Sequence, residues 1–118
     1  MKVQLQGQLV RLRISEAELA RLQAGGTVEN LTRLPAGLAL RQWLRLGKGS
    51  QPELRVGDAQ GWGCLLPPAE LAAYVARLPC REGLRLRLPL AEGAEDAIEI
   101  DLEVDVRDSV RSRGVPKR

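Results

Sequence analysis

The side chains with chemistry to offer are the charged ones, and they recur at every second position. Arg11 and Arg13 alternate with Val10, Leu12 and Ile14, Arg41 and Arg45 flank Trp43, and Arg85 and Arg87 alternate with Leu84, Leu86 and Leu88. Near the C-terminal end, Glu99, Asp101, Glu103 and Asp105 alternate with Ile98, Ile100, Leu102, Val104 and Val106. A strand points successive side chains to opposite faces, so each run has one aliphatic and one ionic face. Arginines sharing a face hold phosphates by charge-assisted hydrogen bonds, which makes Arg11, Arg13, Arg41, Arg85 and Arg87 the candidate anion-binding residues. No cofactor is expected; if a divalent ion such as Mg²⁺ or Mn²⁺ were held, Glu99, Asp101 and Glu103 are the carboxylates to do it.

Other catalytic constellations are excluded by residue type. The chain has no His, so neither a Ser–His nor a Cys–His nucleophile pair can be built. Cys64 and Cys80 do not form a C-x-x-C pair, and a structural zinc site is not expected; both are read as buried small hydrophobes. Gly47-Lys48-Gly49-Ser50 lacks the G-x-x-x-x-G-K-[ST] spacing of a phosphate loop. Carboxylates two apart on a strand with arginine neighbours are most simply ion-paired. Trp43 and Trp62 are expected to fill the core or a strand face. No catalytic residue is assigned.

The elements that must position these residues are legible from the same periodicity. Leu84 to Arg107 reads as a hairpin, with the arginines of one strand beside the carboxylates of the other. Lys2 to Ile14 reads as one extended run whose phase changes near Gly7, the mark of a bulge or sharp bend. A helix over 14–26 is signalled by the capping box Ser15-x-x-Glu18, an Ile14/Leu19 staple and the stop Gly25-Gly26. Acids Glu16 and Glu18 then serve the helix rather than a site. Strands follow at Thr27–Leu34 and Leu38–Leu46, around the turn Pro35-Ala36-Gly37. A short hairpin of Glu53–Val56 and Trp62–Leu66 comes next, over Gly57-Asp58-Ala59-Gln60-Gly61. A second helix runs from Pro68 to about Leu78 on a Leu71, Val75, Leu78 stripe, ended by Pro79.

The predicted class is α+β: a mainly antiparallel sheet or open barrel of two βαββ units, with two helices packed on the apolar face. Residues 1–110 form one domain, with pseudo-repeats at about 1–46 and 53–107 that share Ala-Glu-Leu-Ala at 17–20 and 69–72. Residues 111–118 form a basic, disordered tail. That tail carries four cations and no acid. Without it, fourteen basic residues face fifteen acidic ones, so the net charge of +3 belongs to the tail. Nucleic acid is therefore not the expected partner of the body. With no Phe, one Tyr and two Trp, the core must be aliphatic; the excess of Arg over Lys is the compositional mark of a GC-rich bacterial gene. The alternating MKVQLQGQL has no continuous apolar region and no run approaches the ~20 residues of a membrane span, so the expected location is the cytoplasm.

Two arrangements satisfy the alternation. Either the ionic face is wet and helices cover the aliphatic one, or the sheet curls so that its charges line a cup. Met1-Lys2-Val3, Gly7, Val10-Arg11-Leu12-Arg13-Ile14-Ser15-Glu16 and Gly26-Thr27-Val28-Glu29, with Leu66-Pro67 and Leu102-Glu103-Val104-Asp105, resemble a family of small bacterial domains of unknown function. Its members open with K-I-x-I-x-G, then L-R-L-R-L and a capped helix; the resemblance implies no activity. The doubled βαββ order is also similar, at the level of the fold, to the triphosphate tunnel (CYTH-like) proteins. Those carry an E-x-E-x-K strand where this chain has Gln4-Leu5-Gln6-Gly7-Gln8, with neither carboxylate nor lysine in place. The leading expectation is a non-enzymatic binding or interaction module, a homodimer being one possible form. The alternative is a tunnel-type binder or weak hydrolase of triphosphate or polyphosphate with Mg²⁺ or Mn²⁺.

Overall fold

The computed structural model describes residues 1–57 and 61–106. Its eight strands are β1 (Lys2–Gln6), β2 (Leu9–Ser15), β3 (Val28–Arg33), β4 (Ala39–Leu46), β5 (Glu53–Val56), β6 (Gly61–Leu66), β7 (Leu84–Pro89) and β8 (Ala97–Asp105). The helices are α1 (Glu16–Gln23) and α2 (Pro68–Ala76). The fold is α+β, as its periodicities predict, but the strands form two sheets and no closed barrel. The first sheet has the order β1-β2-β8-β7 and the second β3-β4-β6-β5.

Each sheet joins two antiparallel hairpins through a central parallel pair, β2 with β8 and β4 with β6. Read from β5, the second sheet is β5-β6-β4-β3, the same plan as the first. The run from Lys2 to Ile14 is not one bent strand. Gly7, at φ 55°, opens a tight turn that folds β1 back on β2, with Lys2 opposite Arg13 and Gln4 opposite Arg11. A left-handed residue is what such a hairpin turn needs, and glycine supplies it without a Cβ penalty.

α1 begins where the capping box places it. Ser15 Oγ accepts from the Glu18 N–H at 3.1 Å, and Glu18 Oε1 accepts from the Ser15 N–H at 2.9 Å. Glu18 Oε2 also accepts from the Met1 ammonium at 2.7 Å. Burial works against the Glu18 carboxylate, but the Met1 ammonium and the Ser15 bonds outweigh it, and its pKa lies below the ordinary value. Leu19 and Leu22 are the buried stripe of α1, and Ile14 is buried beside them. In α2 the buried residues are Leu71 and Tyr74, while Val75 and Leu78 lie partly buried at the margin of the predicted stripe. Tyr74 is 1% exposed, and its hydroxyl accepts the backbone N–H of Val104 at 3.2 Å. Burial raises its pKa.

One core draws aliphatic side chains from both sheets and both helices. From the first sheet come Val10, Leu12, Ile14, Leu84, Leu86, Ile100, Leu102 and Val104; from the second, Val28, Leu44, Cys64 and Leu66. Cys64 is the buried small hydrophobe its composition predicts, and burial pushes its thiol up to about 12. Cys80 departs from that expectation. It lies exposed after α2, where its thiol donates to the Glu82 carbonyl at 3.1 Å. Most of the predicted loop 57–61 and the basic tail 111–118 lie outside the described residues. No helix among the described residues is long and apolar enough to cross a membrane.

Candidate functional site

The outer face of the first sheet collects most of the sequence-predicted site residues. β2 alternates so that Val10, Leu12 and Ile14 enter the core while Arg11 and Arg13 face outward. The parallel register sets Arg11 beside Asp101 and Arg13 beside Glu103. On the far side of β8, Arg85 stands opposite Asp101 and Arg87 opposite Glu99. One row crosses all four strands, with Gln4, Arg11, Asp101 and Arg85, and the next crosses three, with Lys2, Arg13 and Glu103.

Three of the β8 carboxylates, Glu99, Asp101 and Glu103, are taken up by arginines. Arg85 donates Nη1 to Glu99 Oε1 at 3.0 Å and places Nη2 3.7 Å from Asp101 Oδ2; Arg13 Nη2 donates to Glu103 Oε1 at 3.2 Å. Arg87 turns away to the Glu95 carbonyl at 2.6 Å. Asp101 is buried although it carries a charge. Gly83 makes that possible, since a Cβ there would run into Asp101 Oδ1 and the Leu102 carbonyl. Among the described residues no group of three or more His, Cys, Asp and Glu side chains is placed to hold a metal ion. Glu99, Asp101 and Glu103 thus sit in a row along one strand, each against a guanidinium. That donor set does not fit a divalent cation, which needs several converging free oxygens.

The cations are less evenly spent. Among the described residues the side chains of Arg11 and Lys2 have no ion-pair or hydrogen-bond partner. They line, with Gln4, Leu12, Arg13 and Glu103, a depression of about 200 Å³ at the β1–β2 side of the face. Three cations against one carboxylate leave a surplus of two positive charges there. A second depression, about 350 Å³, lies between Arg81, Arg85, Asp101 and Glu103. A third, about 390 Å³, brings Arg13 and Arg81 together with Glu103 and Asp105, so its charges balance. Glu103 borders all three. Arg11 and Arg85 thus share one face with Glu103, a shallow surface open to water rather than a tunnel: Arg13 and Arg85 are more than half exposed.

Arg41 does not join this group. It stands on the second sheet, where its Nε donates to Glu29 Oε2 at 2.6 Å. Nearby, Trp43 lies on the outer face of β4 with the Arg45 guanidinium 4.8 Å from its ring centroid. Sequence reasoning weighed Gln4 only against the tunnel motif and did not name Lys2 or Gln4 as anion-binding residues. The signal was present in their alternation with Val3 and Leu5, once the tight turn at Gly7 is recognised as folding β1 onto β2.

No family model, no curated protein and no solved structure matches the chain.

Proposed function

We propose that the chain is a non-enzymatic cytoplasmic binding module whose ligand is an anion of the phosphate class, taken on the outer face of the first sheet. The observation that carries this reading is the gathering of Lys2, Arg11 and Arg13 at one depression with Glu103 as its single carboxylate. Lys2 and Arg13 are direct cross-strand neighbours, an arrangement of like charges that destabilises a sheet unless a counter-ion lies between them. Two guanidinium groups offer forked donors matched to phosphate oxygens, and an ammonium adds a compact point charge. A general base or a metal-activated water has no support on this face, because Glu99, Asp101 and Glu103 are held by Arg13 and Arg85.

The test is a thermal-shift titration with pyrophosphate and tripolyphosphate, with and without Mg²⁺ or Mn²⁺, read alongside release of orthophosphate. Saturable binding should raise Tm: at a ligand concentration of about 100 Kd the native state gains roughly 2.7 kcal/mol. The shift should weaken with added NaCl and fall sharply in Arg11→Ala, while Arg41→Ala on the other sheet leaves it unchanged. No shift at millimolar ligand would refute the anion site. Orthophosphate release that depends on the divalent ion would replace this reading by a triphosphate hydrolase.

A further inference from the structure

The edges of the two sheets are not equally protected against pairing with another chain. β1 carries Lys2, β7 ends at Pro89, and β5 has only four residues between Pro52 and Gly57. Charged residues, proline and shortness are how edge strands avoid one another. β3, Val-Glu-Asn-Leu-Thr-Arg, lies at the edge of the second sheet with six residues and no Pro or Gly, and its two charges, Glu29 and Arg33, are of opposite sign, so they do not repel a copy paired antiparallel. Leu31, in its middle, is 52% exposed, and Glu29, Thr32 and Arg33 are exposed around it.

We infer that β3 pairs antiparallel with β3 of a second copy of this chain, about a two-fold axis at Leu31, to make a homodimer with one continuous eight-stranded sheet. The inference is independent of the anion site, which lies on the other sheet. Its first support is the direction of the backbone groups. At the end of the β3–β4 hairpin the Leu34 N–H donates to the Leu38 carbonyl at 2.8 Å. Antiparallel strands alternate hydrogen-bonded and non-hydrogen-bonded pairs, so Thr32, Asn30 and Val28 also face β4. The N–H and C=O groups of Glu29, Leu31 and Arg33 are left pointing to the open edge.

The second support is charge. Centring the pair on Leu31 sets Glu29 opposite Arg33 of the partner, Leu31 opposite its own copy, and Arg33 opposite Glu29 of the partner. In that register each outward N–H of 29, 31 and 33 meets an outward carbonyl. A slip by two residues in either direction sets a charged residue against Leu31 and loses both ion pairs, and in one direction it also places Glu29 opposite Pro35, which has no N–H to donate. The strand is therefore complementary to itself in one register. Arg33 has no ion-pair or hydrogen-bond partner among the described residues, and Glu29 engages Arg41 through Oε2 alone, so both groups are available.

Sedimentation of the full chain from low micromolar to millimolar concentration should show a species of twice 12.9 kDa forming reversibly. Arg33→Glu, which opposes two pairs of carboxylates, should weaken the dimer by about tenfold or more, and adding Glu29→Arg should restore most of the loss. Leu31→Lys should leave a folded monomer, with folding checked by circular dichroism. In a labelled sample the amides of Glu29, Leu31 and Arg33 should exchange slowly at high concentration and quickly on dilution. A chain that stays monomeric to millimolar concentration would overturn the inference. So would a dimer indifferent to both Arg33→Glu and Leu31→Lys, or exchange at those amides that does not depend on concentration.

Discussion

Replacing Gly63 by alanine tests whether Trp43 is seated by the backbone of its neighbour. The parallel register puts Trp43 beside Gly63, and a Cβ on Gly63 would lie inside the indole ring, against Cε2 and Cδ2. The ring is closed from another side by Arg45, whose Nε is itself tied to Thr27 Oγ1 at 3.0 Å. In Gly63→Ala the ring must lift away. A half-buried indole covers on the order of 100 Å², about 2.5 kcal/mol of burial, and the guanidinium contact adds about 0.5–1 kcal/mol. Against this, alanine gains about 0.5–1 kcal/mol over glycine in a strand. The expected net cost is about 2–3 kcal/mol. Trp43→Ala removes the same contacts and should cost about 3 kcal/mol by the same count. The two changes displace one ring, so the double variant should cost no more than Trp43→Ala alone, roughly 3 kcal/mol short of additivity. Urea unfolding of the four proteins, with matched m-values, measures this coupling. If Gly63→Ala costs the same in both backgrounds, the ring is not what the glycine makes room for, and the reasoning fails.

Two further outcomes follow from buried groups. The Cys64 thiol stays neutral in the folded protein up to about pH 12, whereas in the unfolded chain it ionises from about pH 9, so its contribution is intact below pH 9 and lost as pH rises above it. Urea unfolding between pH 8 and pH 11 should therefore lose stability by up to ~1.4 kcal/mol per pH unit above pH 9 for this group; Cys64→Ala should flatten the slope, leaving the part due to Tyr74, whose pKa is raised in the same direction. Tyr74→Phe removes the acceptor for the buried Val104 N–H and should cost about 1–3 kcal/mol in the same assay; a change within a few tenths of a kcal/mol would mean that amide finds another partner.

What the sequence shows plainly is whatever depends on near neighbours. The β7–β8 hairpin is visible because two alternating runs lie a short loop apart; Arg85 meets Glu99, with Leu86 and Ile100 buried behind them. The capping box at Ser15 is visible for the same reason. The parallel pairs are not, since residues such as Leu12 and Leu102 meet across 90 positions and leave no local trace. Hence division into two sheets, and the separation of Arg41 from the other arginines, could not be read from alternation. In α2 both Leu71–Tyr74 and Leu71–Val75–Leu78 are valid helical spacings, and only the position of β8 behind the helix selects Tyr74.

The same comparison separates what holds the first sheet from what it displays. Equivalent rows of the two sheets differ: Val10, Ile100 and Leu86 are fully buried in the first, while Trp62, Gln42 and Asn30 are only partly covered in the second, where Asn30 Nδ2 donates to Gln42 Oε1 at 3.0 Å. The first sheet therefore draws its cohesion from the aliphatic face of β2, β8 and β7, with only Leu5 of the edge strand β1 left exposed in that row. The Arg13–Glu103 and Arg85–Glu99 pairs on its other side are exposed enough that each contributes about 0–1 kcal/mol, and salt weakens them further. Apart from the buried Asp101, the charged residues of this face are free to vary without unfolding the protein. Arg11, which forms no ion pair with an acid among the described residues, is the residue for which that separation is cleanest. Its removal should leave urea stability within about 0.5 kcal/mol of the wild type. An effect of Arg11→Ala on anion binding would then belong to the site and not to the fold.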